Sequence, residues 1–386
     1  MPEVRLLIVT TVPITLRAIL REQPRYLSTH FTVELATTMA GDVSDIEAVE
    51  SVPVNPVSMA RRISPLRDLR SIWEMAKVIR RFRPHIVHSY TPKAGLVAMA
   101  ASWLCRVPVR IHTFTGLIFP SQSGLKREIL RLIDSLICLL ATRVVPEGEG
   151  VKEDLIAYSV TSKPLQIIGH GNIAGVDTEH YSRQARDVMA KASRLASSLN
   201  IGKDDFVFCF VGRLNPDKGI RELVEGFQML PANSRLLLVG DADDTARLDV
   251  STMNDLHRHA RIHAIGYQQD IRPALAASDV LVLPSYREGF PNVVLQAGAM
   301  NLPVIATDIG GSNEIIKPGF NGWLVPPHDA RALAGTMREA MNTPEPERAA
   351  MGRQARQRIR ARFERAEHWQ RMVAFYRSEL DGQEGA

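Results

Sequence analysis

The sequence has few cysteines and no apolar run long enough to cross a membrane. Its three cysteines, Cys105, Cys138 and Cys209, are dispersed, and none forms a Cys-x-x-Cys pair. This pattern disfavours a disulfide framework and predicts buried, reduced thiols. No apolar run approaches the roughly 20 residues that a spanning helix requires. The N-terminus shows no long apolar region with a small-residue cleavage site, so we expect a cytoplasmic protein.

Length and charge indicate the class of protein and its possible binding partners. The chain of 386 residues is 45% hydrophobic and carries a formal net charge of +5, which predicts a globular protein with two domains of ordinary size. A basic balance suits nucleic acid, anionic lipid or phosphorylated ligands. Aromatic residues do not alternate with the basic ones, and no nucleic-acid motif is present, so nucleic acid is the least favoured of these partners.

Short apolar runs alternate with helical patterns along the whole chain. This rhythm predicts an α/β protein with doubly wound parallel sheets. The first half opens with a strand at 4–11, and the following turn, TTVPIT, has no glycine. The pattern restarts at FVFCFV, so two similar domains are expected. The predicted domains cover 1–175, completed by a C-terminal helix at 366–386, and 176–365. The predicted strands include a weak one at 45–51 and, as the last strand of the first half, one at 165–168.

The most informative stretch runs from Asp279 to Glu314. It reads as two strand–loop–helix units in succession, with Pro291 suited to the first turn of one helix and Gly310 and Gly311 leading into the next. Helices that follow neighbouring parallel strands direct their N-termini to one edge of the sheet. Unpaired N–H groups and partial positive charge at those N-termini predict a diphosphate site.

Polar residues at the same edge predict what else the site binds. Arg213 and Lys218 follow the first strand of the second half, where two cations can neutralise charge on a departing diphosphate. Glu288 precedes the first helix, and Gln296 lies eight residues further on. The two residues are therefore predicted to contact opposite ends of an elongated phosphorylated ligand.

The segment EGFPNVVLQA, followed by NLPVIATDIGG, resembles the donor-binding signature of family 4 glycosyltransferases. The resemblance covers nearly the whole chain and implies the GT-B fold, in which two Rossmann-like domains face a central crevice. It also implies retention of configuration. The segment ending in Gly175-Val176-Asp177 is similar to the family's interdomain junction. The family signature usually has Glu at both ends of the eight-residue step, whereas this chain has Gln296 at the second end.

The resemblance implies roles for individual residues. Glu288 would contact the donor sugar, Gln296 would hold the ribose through hydrogen bonds, and His112, expected at the end of a strand, would support the reacting centre. The departing phosphate would itself accept the acceptor's proton. The expected catalytic residues are His112, Arg213, Lys218 and Glu288. The expected donor-binding residues are Gly212, Arg213, Lys218, Gly266, Tyr267, Glu288, Gly289, Phe290, Pro291, Asn292, Val293, Gln296, Gly310 and Gly311.

No metal or other cofactor is expected. Asp241-Ala-Asp243-Asp244 is similar to the Asp-x-Asp motif of metal-using transferases. It follows a strand in a Rossmann-like half, where relatives place loops that contact the nucleotide. We therefore interpret it as an acidic loop.

A basic helical segment in the first half has two interpretations. Residues 64–82 form an amphipathic pattern whose predicted buried face includes Leu66, Leu69 and Trp73. The other face would be strongly basic, and a second basic patch is predicted at Lys126 and nearby residues. Such a charged face is either simply solvated or attracted to anionic lipid head groups. The basic residues of the first patch are Arg61, Arg62, Arg67, Arg70, Lys77, Arg80, Arg81 and Arg83.

Together these features predict a retaining glycosyltransferase that uses a nucleotide sugar, with a UDP-linked N-acetylhexosamine preferred on family grounds. The segments HSYTPKAG and RIHTFTGLIFP resemble bacterial enzymes that extend polyprenyl-diphosphate-linked glycans for O-antigen or capsule. The expected partners are that acceptor and an anionic inner-membrane surface. Two alternatives are an enzyme like UDP-N-acetylglucosamine 2-epimerase and a non-catalytic sugar-nucleotide-binding subunit.

Overall fold

A computed structural model describes residues 4–38, 43–60, 64–242 and 246–384. By its internal contacts the chain divides into two compact units. Unit 1 comprises Met1–Gly175 together with Arg365–Ala386, and unit 2 comprises Val176–Glu364. Within the described ranges, no helix combines the length and the apolarity needed to span a bilayer.

Unit 1 is a six-stranded sheet with helices on both faces. Its strands are β1 (Arg5–Val9), β2 (Thr32–Thr37), β3 (Val54–Pro56), β4 (Ile86–Tyr90), β5 (Val109–Phe114) and β6 (Arg143–Pro146). Its α-helices are α1 (Gln23–Leu27), α2 (Ser44–Glu50), α3 (Pro65–Phe82), α4 (Pro92–Leu104), α5 (Gly124–Leu140), α6 (Glu149–Ala157) and, at the end of the chain, α15 (Arg365–Glu384). A short π-helical turn covers Thr15–Ile19, and a 3₁₀ turn covers Phe119–Ser121.

Unit 2 repeats this plan. Its strands are β7 (Phe206–Val211), β8 (Ser234–Val239), β9 (Ile262–Ala264), β10 (Val280–Leu283), β11 (Val304–Thr307) and β12 (Gly322–Val325). Its α-helices are α7 (Val188–Ser198), α8 (Ile220–Gln228), α9 (Val250–Arg258), α10 (Arg272–Ala276), α11 (Asn292–Ala299), α12 (Ser312–Ile315), α13 (Ala330–Asn342) and α14 (Glu345–Phe363). A 3₁₀ turn covers Pro216–Lys218.

Both sheets have the same strand order. They run β3-β2-β1-β4-β5-β6 and β12-β11-β10-β7-β8-β9, and all paired strands are parallel. This confirms the predicted α/β, doubly wound architecture. In each sheet the strand order reverses beside the first strand of the unit, which makes this place a topological switch point. In open α/β sheets, ligands usually bind at the carboxyl ends of the two strands that flank the switch point. In unit 2 those strands are β7 and β10, which pair through Phe208 and Val280.

Apolar strands account for the burial of the sheets. The side chains of β10, from Val280 to Leu283, are at most 1% exposed. A strand covered by helices on both faces needs an uninterrupted apolar run rather than an alternating one, which is what the sequence of β10 provides.

Three local predictions are wrong. Residues 45–51 were predicted as a strand, but all except Ser51 lie in α2, where Ile46 and Glu50 are one helical turn apart and buried. Residues 165–168 were also predicted as a strand, but they form none: Leu165 makes only an isolated bridge to Val144. On α3, the predicted buried face is buried at Ala76 and Ile79 but exposed at Leu66, Leu69 and Trp73. The buried positions are Asp68, Ser71, Met75, Ala76, Ile79 and Phe82.

Asp134 on α5 provides a stability prediction. Its side chain is buried, and this burial raises the pKa of the carboxyl to about 7. Since the folded pKa lies above the unfolded value near 3.8, stability is lost as pH rises from about 4 through 7. Asp134→Asn removes the ionisation. It should stabilise the protein at pH 8 by about 1–2 kcal/mol, because the buried amide retains part of the polar cost. Denaturant melts at pH 5 and pH 8 test this; an equal effect at both pH values would contradict it.

Candidate active site

The candidate site of unit 2 forms where β7 and β10 end. Gly212 and Arg213 follow β7 directly, and the 3₁₀ turn that ends at Lys218 comes next. The side chain of Asn215 accepts a hydrogen bond from the Lys218 N–H at 3.2 Å, which caps that turn. The loop after β10 carries Glu288. The strand order therefore brings two loops, about 70 residues apart in sequence, to one edge of the sheet.

The carboxylate of Glu288 is held by two donors. Lys218 Nζ and Ser285 Oγ both donate to Glu288 Oε1, each at 2.6 Å. Ser285 is fully buried, and its carbonyl oxygen accepts a hydrogen bond from the Thr307 hydroxyl. Because both donors use Oε1, the second carboxylate oxygen is left with capacity for a ligand. An ammonium has three N–H groups, so Lys218 can also bind an anion beside the carboxylate.

Two further contacts join the same loops. The N–H of Tyr286 donates to the carbonyl of Asp217 at 2.9 Å, and Arg287 pairs with the Asp217 carboxylate at 2.7 Å. The Tyr286 hydroxyl also donates to Glu222 on α8. These contacts make the loop after β7 and the loop after β10 a single connected structure, so Glu288 and Lys218 are positioned together.

The third segment at this edge is the turn between β11 and α12. A Cβ built at Gly311 would overlap the carbonyl oxygen of Gly289, and Gly311 has φ +82°. Only glycine permits this approach without strain. The turn thus packs against the Glu288 loop, as the predicted diphosphate site requires. However, α12 is a single turn, Ser312–Ile315. It can offer N–H groups but little of the macrodipole that was expected from a second full helix.

The remaining predicted donor residues of unit 2 lie in nearby loops or on α11. Tyr267 is 63% exposed, and its N–H donates to Asp241 at 2.9 Å, while Gly266 accepts from the Gly240 N–H at 2.9 Å. Pro291 precedes α11, which begins at Asn292. The residues of this loop and helix are half-buried or buried: Gly289, Phe290, Pro291, Asn292, Val293 and Gln296.

The acidic segment Asp241-Ala-Asp243-Asp244 is only partly described. The Asp241 carboxylate contacts the backbone of Tyr267, as above, whereas Asp243 and Asp244 lie outside the described residues. The described part of the segment therefore organises the loop that carries Tyr267.

The position predicted for His112 is wrong. The residue was expected at the end of a strand, but β5 continues to Phe114 and the His112 side chain is 1% exposed. Its Nδ1 lies 2.8 Å from Ser89 Oγ, and its ring would overlap a Cβ at Gly95 on α4. Burial lowers the pKa of His112 to about 3, so the imidazole is neutral at physiological pH. A neutral ring can donate or accept a hydrogen bond but supplies no positive charge.

Unit 1 also contains a buried polar cluster that the sequence did not reveal. His88 is fully buried, with Nδ1 2.7 Å from the Tyr376 hydroxyl of α15 and Nε2 2.7 Å from Thr113 Oγ1. His88 and Thr113 also border a cavity to which His368, on α15 as well, contributes a buried ring. Thr113 and Tyr376 are 25 and 288 residues away from His88 in sequence, so no local pattern could have brought them into one cluster.

Each half of the chain matches a glycosyltransferase family. Residues 193–358 match a model described as glycosyl transferases group 1, and residues 17–171 match one described as a glycosyl transferase 4-like domain. An Escherichia coli UDP-Gal:alpha-D-GlcNAc-diphosphoundecaprenol alpha-1,3-galactosyltransferase is 30% identical over 281 residues, covering 70% of each chain. The chain belongs to the group 1 glycosyltransferases.

Other similarities of this glycosyltransferase extend over nearly its whole length. A Staphylococcus aureus capsular polysaccharide biosynthesis glycosyltransferase, CapM, is 27% identical over 351 residues, 90% of each chain. The crystal structure of Anabaena HepE with UDP and glucose superposes with a TM-score of 0.82 at 18% identity, covering 97% of this chain and all of that one. Such a likeness shows the fold, and it confirms the GT-B architecture.

The contact between Gly311 and Gly289 leads to a prediction for this glycosyltransferase. Gly311→Ala adds a Cβ where a carbonyl oxygen lies, at a backbone conformation that costs a non-glycine residue about 1–3 kcal/mol. We expect the Glu288 loop to shift and the affinity for the donor nucleotide to fall roughly tenfold. Calorimetric titration with UDP measures the change. Gly319→Ala is a matched control, because Gly319 also has positive φ but has no atom within reach of a new Cβ. Equal losses in both variants would contradict the argument.

Proposed function

We propose that this glycosyltransferase moves a sugar from a UDP-sugar, with N-acetylhexosamine or a related sugar as the preferred class, to a polyprenyl-diphosphate-linked glycan in surface polysaccharide biosynthesis. The observation that carries this proposal is the Lys218–Ser285–Glu288 arrangement at the switch point of unit 2. The relatives named above support the acceptor class, since one is named for a diphosphoundecaprenol substrate and the other for capsular polysaccharide biosynthesis.

The chemistry assigns each group one task. Lys218 and Arg213 stabilise the negative charge that grows on the diphosphate as the bond from the anomeric carbon to the phosphate oxygen breaks. The second oxygen of the Glu288 carboxylate holds the sugar hydroxyls and stabilises the positive charge at the anomeric carbon. N–H groups of the Gly289 and Gly311 segments bind phosphate oxygens. Gln296 binds the ribose as a neutral partner.

The acceptor hydroxyl attacks from the side of the departing phosphate, which takes the hydroxyl proton. Configuration at the anomeric carbon is therefore retained. Charge stabilisation by Lys218 and Arg213 leads us to propose a reaction without metal. We further propose that the enzyme works peripherally at the cytoplasmic face of the inner membrane.

A direct assay tests the proposal. Thermal shifts with a panel of nucleotide sugars identify the donor, and incubation with a short-chain prenyl-diphosphate glycan and a chelator should then release UDP and extend the glycan. NMR of the product should show the donor's anomeric configuration. UDP release without any acceptor would favour the epimerase-like alternative. Nucleotide binding without turnover on any acceptor would favour the non-catalytic subunit, and loss of turnover with the chelator would contradict the metal-free reaction.

A further inference from the structure

The outward side of α5 carries a regular apolar stripe. Leu125, Ile129, Leu132, Leu136 and Leu139 follow one another at steps of four and three residues, and they are 38–77% exposed. These steps place all five on one face of the helix. At 1.5 Å per residue, the stripe is about 21 Å long. Since the opposite side of α5 packs Ile137 and Cys138 into the core, this helix is apolar on two faces.

The neighbouring helices of the same layer continue this surface. Helix α4 packs against both α3 and α5, and all three bury their inner sides in one core cluster of unit 1. On their outer sides, α3 exposes Leu66, Leu69 and Trp73, and the end of α4 exposes Trp103 and Leu104, each 55–83%. We call the exposed apolar residues of these three helices the α3–α5 face. Single exposed apolar residues are common on protein surfaces, but an extended apolar surface of this kind indicates an interaction site.

Charges around the α3–α5 face are mostly positive. Arg67, Lys77 and Lys126 are exposed, and Lys77 lies over the Trp73 ring at 3.3 Å from its centroid. The acidic groups of α3 and α5 are otherwise engaged or buried. Asp68 is buried in an ion pair with Lys93, Glu74 pairs with Arg70, Glu128 pairs with Arg131, and Asp134 is buried. Leucines with tryptophan, bordered by basic residues, are the composition of helices that lie in the interface of an anionic bilayer.

We infer that the α3–α5 face inserts its leucines and tryptophans into the lipid of an anionic membrane. The inference rests on the proposed function, because an acceptor with a polyprenyl chain is held in a bilayer. It differs from adsorption of a basic surface, since the attachment depends on apolar area and not on charge alone. Binding should therefore persist when salt screens the charges, at about 1 M where the Debye length is roughly 3 Å.

The protein contains its own reporters for this test. Of its four tryptophans, Trp73 and Trp103 are more than half exposed on the α3–α5 face, while Trp323 and Trp369 are at most 9% exposed. Vesicles of phosphatidylglycerol and phosphatidylcholine, without and with brominated acyl chains, are mixed with the full chain at low and high salt. We expect co-sedimentation at both salt levels, a blue shift of the emission and quenching by the brominated lipid.

A triple variant, Leu125→Gln, Leu132→Gln and Leu139→Gln, tests the apolar contribution. Loss of three exposed leucines should weaken partitioning roughly tenfold or more and reduce the blue shift. The matched control replaces three apolar residues of similar exposure elsewhere by glutamine, namely Ile156, Met189 and Met229; it should bind vesicles as the wild type does. Circular dichroism establishes that both variants fold.

Two outcomes would overturn the inference. Binding that disappears at high salt without any change in tryptophan emission would mean adsorption by charge alone. A dimer in solution that the triple variant dissociates, with no vesicle binding by the wild type, would mean that a second copy covers the face. Transfer to a short-chain, water-soluble acceptor is measured separately: its absence in the wild type would count against the proposed reaction and leave the vesicle result standing.

Discussion

Replacing Glu288 by glutamine should lower kcat for sugar transfer by roughly 10²–10³-fold while leaving UDP affinity within about threefold of the wild type. The side chain keeps its shape and its bond from Ser285, but it loses the charge that stabilises the anomeric centre. Because the carboxylate is assigned to the sugar and not to the phosphates, the nucleotide should bind almost unchanged. Steady-state kinetics and UDP titration measure the two quantities independently.

Lys218→Met should have the complementary result, a loss of UDP affinity together with a loss of kcat. The double variant should be scarcely worse than the poorer single variant, since Lys218 and Glu288 share a direct bond and act as a unit. Arg221→Gln is the matched control: its ion pair with Glu225 is solvent-exposed, lies within α8 and joins neither loop, so its contribution should be small. Fully additive losses in the double variant would contradict the coupled arrangement.

Much of the fold follows from local patterns. Apolar runs such as the one forming β10 are short, uninterrupted and bounded by polar or glycine-containing loops, so they identify buried parallel strands without further information. The strand prediction for 45–51 was wrong because a seven-residue stretch with few apolar residues fits both the helical and the strand periodicity. There, the burial of Ile46 and Glu50 against the rest of unit 1 decides for helix.

The orientation of α3 shows a second limit. A helix with apolar residues on two faces has a periodic pattern, but the pattern does not say which face meets the sheet. Met75 and Ile79 are in the core, whereas Leu69 and Trp73 are exposed. Only the packing of α3 against α4 reveals this, and the exposed stripe then becomes evidence for an interaction instead of evidence for a core.

For the candidate site, sequence reasoning located the loops but not the bonds within them. Glu288 and Lys218 were each expected at the sheet edge, and the strand order explains why they meet. Ser285 was not singled out from the sequence, although it is the buried donor to Glu288. His112 was expected at the end of β5 but lies two residues before it, because strand ends can be read from sequence only to within one or two residues.

The buried histidines of unit 1 lead to the remaining prediction, on acid stability. Burial lowers the pKa of His112 to about 3 and that of His368 to about 4. In the unfolded chain both titrate near 6.5, so the unfolded state binds more protons as pH falls below that value. Stability is therefore fully present above about pH 6.5 and declines toward the folded pKa values. At pH 5 each histidine should lower the free energy of unfolding by about 2 kcal/mol relative to its value at neutral pH.

The test compares pH dependences rather than absolute stabilities, because Asp134 acts in the opposite direction over the same range. His112→Gln and His368→Gln should each reduce the loss of unfolding free energy between pH 7.5 and pH 5 by about 2 kcal/mol, whatever their effect at neutral pH. His30→Gln, which replaces an exposed histidine of unit 1, should leave the pH dependence as it is. Denaturant titrations at several pH values give these differences. If the unfolding free energies of the wild type and of both buried-site variants changed with pH in the same way, the prediction would be contradicted. The two imidazoles would then take up protons in the folded state as easily as in the unfolded chain.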